Sequence, residues 1–96
     1  MNYKIVIIDE AKEDYKTSLN WYKNINKQLG IKFNESFKEC LSRIRNNPLL
    51  FQNRYDNTRV MVFKSFPYLV HYTIYQNIIV IKQICHSSQD SDLNIY

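Results

Sequence analysis

The chain has 96 residues and a formal net charge of +4; 45% of it is hydrophobic, 23% charged and 15% aromatic. That length supports one domain over 1–96, and a single glycine with two prolines excludes collagen-like, linker-like and low-complexity chains. The longest stretch without Asp, Glu, Lys or Arg, Ser65 to Ile81, is interrupted by Pro67, His71, Thr73, Gln76 and Asn77, so no membrane-spanning helix is predicted; with no signal-like apolar run at the N-terminus, a cytoplasmic location is expected.

Residues 3–8 are short and β-branched and predict a strand. Asp9 comes next as an N-cap candidate, with Glu10, Glu13 and Asp14 near the positive end of the next helix. Ala11, Tyr15, Leu19, Tyr22 and Leu29 recur at helical steps and predict an amphipathic helix over 9–29. Gly30 then stands where a left-handed residue would close that helix. Phe33, Phe37, Cys40, Leu41 and Ile44 line a second helix, which Asn46-Asn47-Pro48 ends because proline cannot donate within a helix. Trp21, Tyr22 and Phe37 are expected to pack inside this helical hairpin.

The second half reads as β. Residues 51–55 suggest an extended segment, and 58–64, 68–75 and 78–85 alternate as three strands with short connections. The segment 86–96 is expected to wrap the sheet edge. The order β-α-α-β-β-β implies an α+β fold, a helical hairpin on one face of a mostly antiparallel sheet, with the other face partly open. Cys40 and Cys85 sit in apolar patterns and are read as small buried hydrophobes, too few for a disulfide framework or a metal site. Charge is uneven: residues 51–85 hold Arg54, Arg59, Lys64 and Lys82 against Asp56 alone, a balance that suits an acidic partner or nucleic acid.

Several strings taken together resemble a known family. Asn20-Trp21-Tyr22 falls late in the first helix, and Phe33 to Pro48 forms a second helix with a closing Asn-Pro. Phe51 to Tyr55, leading to Arg59-Val60, enters the sheet. Phe66-Pro67-Tyr68 opens a strand, and Cys85-His86-Ser87-Ser88-Gln89-Asp90 stands late in the chain. In this order and spacing the chain resembles the RelE/ParE toxins of bacterial type II toxin–antitoxin systems, often linked to plasmid stabilisation. The resemblance implies a toxin held inactive by a cognate antitoxin, and a RelE/ParE-like fold. RelE-like members are mRNA interferases that cleave messenger RNA on the ribosome; ParE-like members inhibit DNA gyrase. The fold is common to both activities.

Metal-free RNA cleavage needs a base for the 2′-hydroxyl, cations for the crowded phosphate and an acid for the leaving oxygen. Arg59 matches one basic position of the ribonucleases. Where several of them carry arginine, this chain has Leu69 and Gln89, and Tyr96 stands for their C-terminal aromatic residue. The catalytic candidates are therefore Arg59, His71, His86 and Tyr96, and the candidates for target or nucleic-acid contact are Arg54, Arg59, Lys64, Lys82 and Gln89. His71 alternates with Leu69, Thr73 and Tyr75, so it is expected half-exposed on a polar face, as a cross-strand partner or as a titrating base. His86 reads either as a hydrogen-bonded strand-end residue that holds the C-terminal segment or as a phosphate contact. Lys82 reads as a solvated edge, a salt bridge to Glu10, Asp56 or the late acids, or a partner contact. Ser87, Ser88 and Asp90 lack the nucleophile elbow of a hydrolase, and neither a phosphate loop nor metal-ligand spacing occurs, so no metal and no cofactor are expected.

The missing cations favour a ParE-like toxin that binds a macromolecular target such as gyrase. The alternatives are a ribosome-dependent endonuclease with a divergent site and an inactive homologue. The expected partners are the antitoxin and gyrase or the ribosome with its message, with a homodimer as a further candidate and no membrane. Antitoxin binding would cover apolar surface, so the isolated toxin is expected to self-associate or to be poorly soluble.

Overall fold

The computed structural model describes residues 2–89. Strand β1 (Lys4–Ile7) leads through helices α1 (Asp9–Ile25) and α2 (Lys27–Asn46) into strands β2 (Asn53–Tyr55), β3 (Thr58–Val62), β4 (Tyr68–Tyr75) and β5 (Ile78–His86). A 3₁₀ turn, Ser87–Gln89, comes after β5. The five strands form one sheet in the order β1-β5-β4-β3-β2. β1 lies parallel to β5, with Ile5 opposite Ile79 and Ile7 opposite Ile81. The other pairs are antiparallel, and the α+β reading of the sequence holds.

The helical boundary differs from the sequence expectation. α1 ends at Ile25, and Asn26 serves both helices. Its extended backbone donates to the Tyr22 carbonyl, and its side chain accepts from the Gln28 amide at 2.7 Å. An asparagine oxygen satisfies an orphan amide at a helix start, which is why one residue suffices to turn the chain. Gly30 therefore lies inside α2 and has no left-handed backbone. Its role is clearance: a Cβ there would stand 2.3 Å from Lys23 Cγ and 3.3 Å from Lys23 Cα on α1. Nor is Asp9 the N-cap. Ile8 holds that position without a side-chain bond, and Asp9 and Glu10 sit in the first turn, where the helix dipole favours acids.

The main core lies between the hairpin and one sheet face. Phe33 is fully buried, and its ring meets those of Tyr15, Tyr22, Phe63, Phe66 and Tyr68 at centroid distances of 5.1–5.9 Å. Phe37 and Cys40 are buried beside it, as expected. Trp21 is not: it is 64% exposed, because it points about 100° around α1 from Tyr22, which packs inward. Beyond the reach of β1, the Ile84 amide on β5 donates to Asp14 of α1 at 3.4 Å.

The hairpin turns use left-handed residues. Asp56 and Asn57 both have positive φ, which makes the two-residue turn between β2 and β3 match strand twist. Gln76 takes the left-handed position between β4 and β5. Between His71 and Tyr72 the β4–β5 register slips: Tyr72 faces Ile81 and His71 faces Gln83, so Lys82 is the extra residue of a bulge.

Candidate functional site

The second sheet face is built by alternation. Val60 faces His71, and Leu69 faces Cys85 and Val62, so these side chains project away from the helices. Val60, Leu69 and Cys85 form a small buried cluster of their own. His71 belongs with them and is only 1% exposed, which corrects the half-exposed expectation. The reason is that β4 is flanked on both sides in the sheet and buried on both faces over its first five residues.

His71 sits in a polar cluster. Its Nδ1 is 3.1 Å from the Tyr55 hydroxyl, and its Nε2 is 3.7 Å from Cys85 Sγ. Neutral histidine has one donor and one acceptor nitrogen, so a hydroxyl and a thiol, each able to give or take a proton, satisfy either tautomer. The bulge carries Lys82 onto this face, where Nζ donates to Thr58 Oγ1 at 2.9 Å and lies 5.5 Å from the centre of the Tyr55 ring. Sequence reasoning misses Tyr55, Thr58 and Cys85 as members of this cluster. The Asp56-Asn57 pair carries the signal for the first two, because a two-residue turn sets Tyr55 opposite Thr58.

An open cleft lies where this cluster reaches solvent. Its lining is Glu10, Glu13 and Asp14 from α1, Tyr55 from β2, and Lys82 and Gln83 from β5. Three carboxylates and one ammonium thus line the same cleft, and Glu13 also pairs with Lys16 at 3.9 Å. Among the described residues, Lys82 is in ion-pair contact with none of Glu10, Asp56 and the other acids; its bond goes to a hydroxyl.

The other sequence candidates lie elsewhere. Arg59 faces Tyr72 across β3 and β4, on the helix side of the sheet. Its Nη1 donates to the Phe51 carbonyl at 2.6 Å and reaches the Leu49 carbonyl at 3.4 Å. The buried Tyr72 hydroxyl donates to the Pro48 carbonyl at 2.7 Å, and burial pushes its pKa up to about 12 although Arg59 opposes the rise. Arg59 and Tyr72 thereby fix the loop that joins α2 to β2. Arg54 is half-buried on β2. Lys64 is exposed beyond β3, and its carbonyl accepts from Ser36 Oγ at 2.6 Å. His86 ends β5. Its Nδ1 accepts from the Ser88 amide at 3.0 Å, and its ring meets Tyr68 edge-on at 5.3 Å. That bond places the neutral ring's proton on Nε2 and fastens the 3₁₀ turn to the strand. Gln89 closes the turn. Tyr96 lies outside the described residues. The structure thus brings His71 and Lys82 together, and places Arg59 and His86 apart from them.

Residues 5–91 match the family described as "ParE toxin of type II toxin-antitoxin system, parDE". The chain belongs to this ParE toxin family. It is thus the toxin type of a type II toxin–antitoxin system. Two solved structures have the same fold as this ParE-family chain. One is from the chromosomal ParDE toxin–antitoxin system of P. aeruginosa, 14% identical, with a TM-score of 0.76 over 88% of this chain and 95% of that one. The other is from the E. coli DinJ–YafQ toxin–antitoxin complex, 12% identical, with a TM-score of 0.62 over 92% and 96%. No curated protein matches the sequence. Among the described residues, no helix of the toxin is long and apolar enough to cross a membrane.

Proposed function

We propose that this ParE-family toxin acts by binding a macromolecular target, DNA gyrase, rather than by cutting RNA, and that a cognate antitoxin neutralises it. One observation supports this above others: the cleft beside Lys82 and Tyr55 carries Glu10, Glu13 and Asp14. A site that cleaves RNA must gather positive charge around a phosphate whose charge grows in the transition state. A cleft lined by three carboxylates and one ammonium, with Glu13 also beside Lys16, is poor in the positive charge that phosphate needs. Arg59, the cation that corresponds to a ribonuclease position, holds loop carbonyls on the opposite side of the sheet.

Two assays on the purified full chain separate the mechanisms. In the first, gyrase supercoils relaxed plasmid in the presence of rising toxin. In the second, a defined message in a translating extract is mapped by primer extension. The expected result is loss of supercoiling with an intact message. Ribosome-dependent cuts within codons, with supercoiling unaffected, would overturn the proposal. His86→Ala is expected to keep gyrase inhibition within about threefold of the parent, since target binding asks no proton transfer of it.

A further inference from the structure

The loop between α2 and β2 presents two leucines to solvent on a fixed backbone. Leu49 is 63% exposed and Leu50 is 64% exposed. One exposed leucine means nothing on a protein surface. Here two adjacent ones stand on a backbone tied at four points: the Tyr72 hydroxyl holds the Pro48 carbonyl, Arg59 reaches those of Leu49 and Phe51, and the Leu50 amide closes a turn onto Asn47. A loop so held has little conformational freedom left to lose on binding, which is what makes apolar side chains effective anchors.

The surroundings are basic. Residues 43–54 contain Arg43, Arg45 and Arg54 and no acid. The Arg43 guanidinium lies 6.0 Å from the ring centre of Phe51, the residue next to the leucines. Among the described residues, neither Arg43 nor Arg59 is in an ion pair with a carboxylate. An acidic surface that meets this loop gains attraction without breaking an existing pair. Leucine offers no ring to stack on a base and no hydrogen bond to read one, so the chemistry fits a protein surface rather than a nucleic acid.

We infer that the Leu49–Leu50 loop is the anchor by which the toxin grips its target, and that the matching surface there is an apolar cleft rimmed by Asp and Glu. The inference rests on the gyrase-binding function proposed above. Two leucines cover only part of a stable interface, so they serve as its centre, with the arginines as its rim.

The test uses purified gyrase holoenzyme, relaxed plasmid and the full-length toxin. Leu49→Ser/Leu50→Ser and, separately, Arg43→Glu are compared with the parent, with Ile31→Ser as a control for an exposed apolar residue on α2. Thermal melts verify that each variant is folded. The double variant is expected to need at least about tenfold more protein to stop supercoiling, Arg43→Glu about threefold or more, with no change for Ile31→Ser. Raised salt should weaken the parent and leave Arg43→Glu less affected. If the parent inhibits gyrase and the folded double variant is equally potent, the loop is not the anchor and the inference is wrong on its own. If the parent leaves gyrase untouched, the proposed function fails and the inference falls with it. Loss of binding to purified cognate antitoxin with gyrase inhibition retained would give the loop to the antitoxin and overturn its assignment to the target.

Discussion

Arg59 shows how a functional residue type can be taken up by structure. Its guanidinium spans two carbonyls that no strand or helix satisfies. Losing hydrogen bonds from a charged donor at this half-buried place is expected to cost about 1–2 kcal/mol, so Arg59→Ala should lower the urea midpoint of unfolding. Arg59→Lys should restore part of this loss, because both bonds leave the single Nη1 and an ammonium also carries donors enough for two carbonyls, though on a shorter side chain. A midpoint identical to the parent's, with toxicity abolished, would instead make Arg59 a contact to target or substrate. His71 is legible in the sequence as a residue of interest but not as a buried one. Its neighbours in sequence, Val70 and Tyr72, point to the opposite face, and what covers His71 comes from Tyr55 and Cys85 on other strands.

The helical hairpin shows where element boundaries are decided. The apolar face of α1 runs on past Ile25 in the sequence pattern, so periodicity alone extends the helix to Leu29. Asn26 ends it because its extended backbone and capping side chain suit a sharp junction. Gly30 then permits α2 to lie close against Lys23. Alanine normally gains about 1 kcal/mol over glycine inside a helix. Here the added methyl meets the root of the Lys23 side chain and the α1 backbone, so Gly30→Ala is expected to lower the melting temperature despite its helix propensity. A higher melting temperature would show that the two helices separate without loss. The paired exposed side chains of Lys16 and Glu13, 3.9 Å apart, contribute little to α1, as surface pairs do.

Among the described residues, aromatic packing and not ion pairing holds the layers together, and the titration of buried phenols and a thiol sets an upper pH limit. Burial raises the phenol of Tyr72 to about 12 and the thiol of Cys40 to about 12, and Tyr15 and Tyr22 are raised in the same direction. The unfolded chain loses these protons first, near 9.0 for the thiol and 10.0 for the phenols. The folded state then binds more protons than the unfolded one, so stability falls as pH rises. The contribution is whole below about pH 9 and is lost progressively up to about pH 12. Urea unfolding repeated across that window, with tyrosinate absorbance as a second probe, should show the midpoint dropping. Tyr72→Phe should give a shallower drop and a loss of about 1 kcal/mol at neutral pH from the missing bond to Pro48. A midpoint flat up to pH 12 would contradict the buried phenol.

Strand and helix order, the α+β class, the buried cysteines and the family resemblance are all present in the linear pattern. Period two and period 3.6 are properties of neighbouring residues, and the Phe-Pro-Tyr, Asn-Pro and Cys-His strings are read without any fold. Which residues share a site is not. Arg59 and His71 lie only twelve positions apart, yet adjacent strands and pleat parity send them to opposite faces of one sheet. The bulge at Lys82 sets that lysine beside Tyr55 and Thr58, and the packing of α1 against β5 brings Glu10, Glu13 and Asp14 to the same cleft. Registers, bulges and helix docking arise from contacts distant in sequence, and only the folded chain brings those charges together.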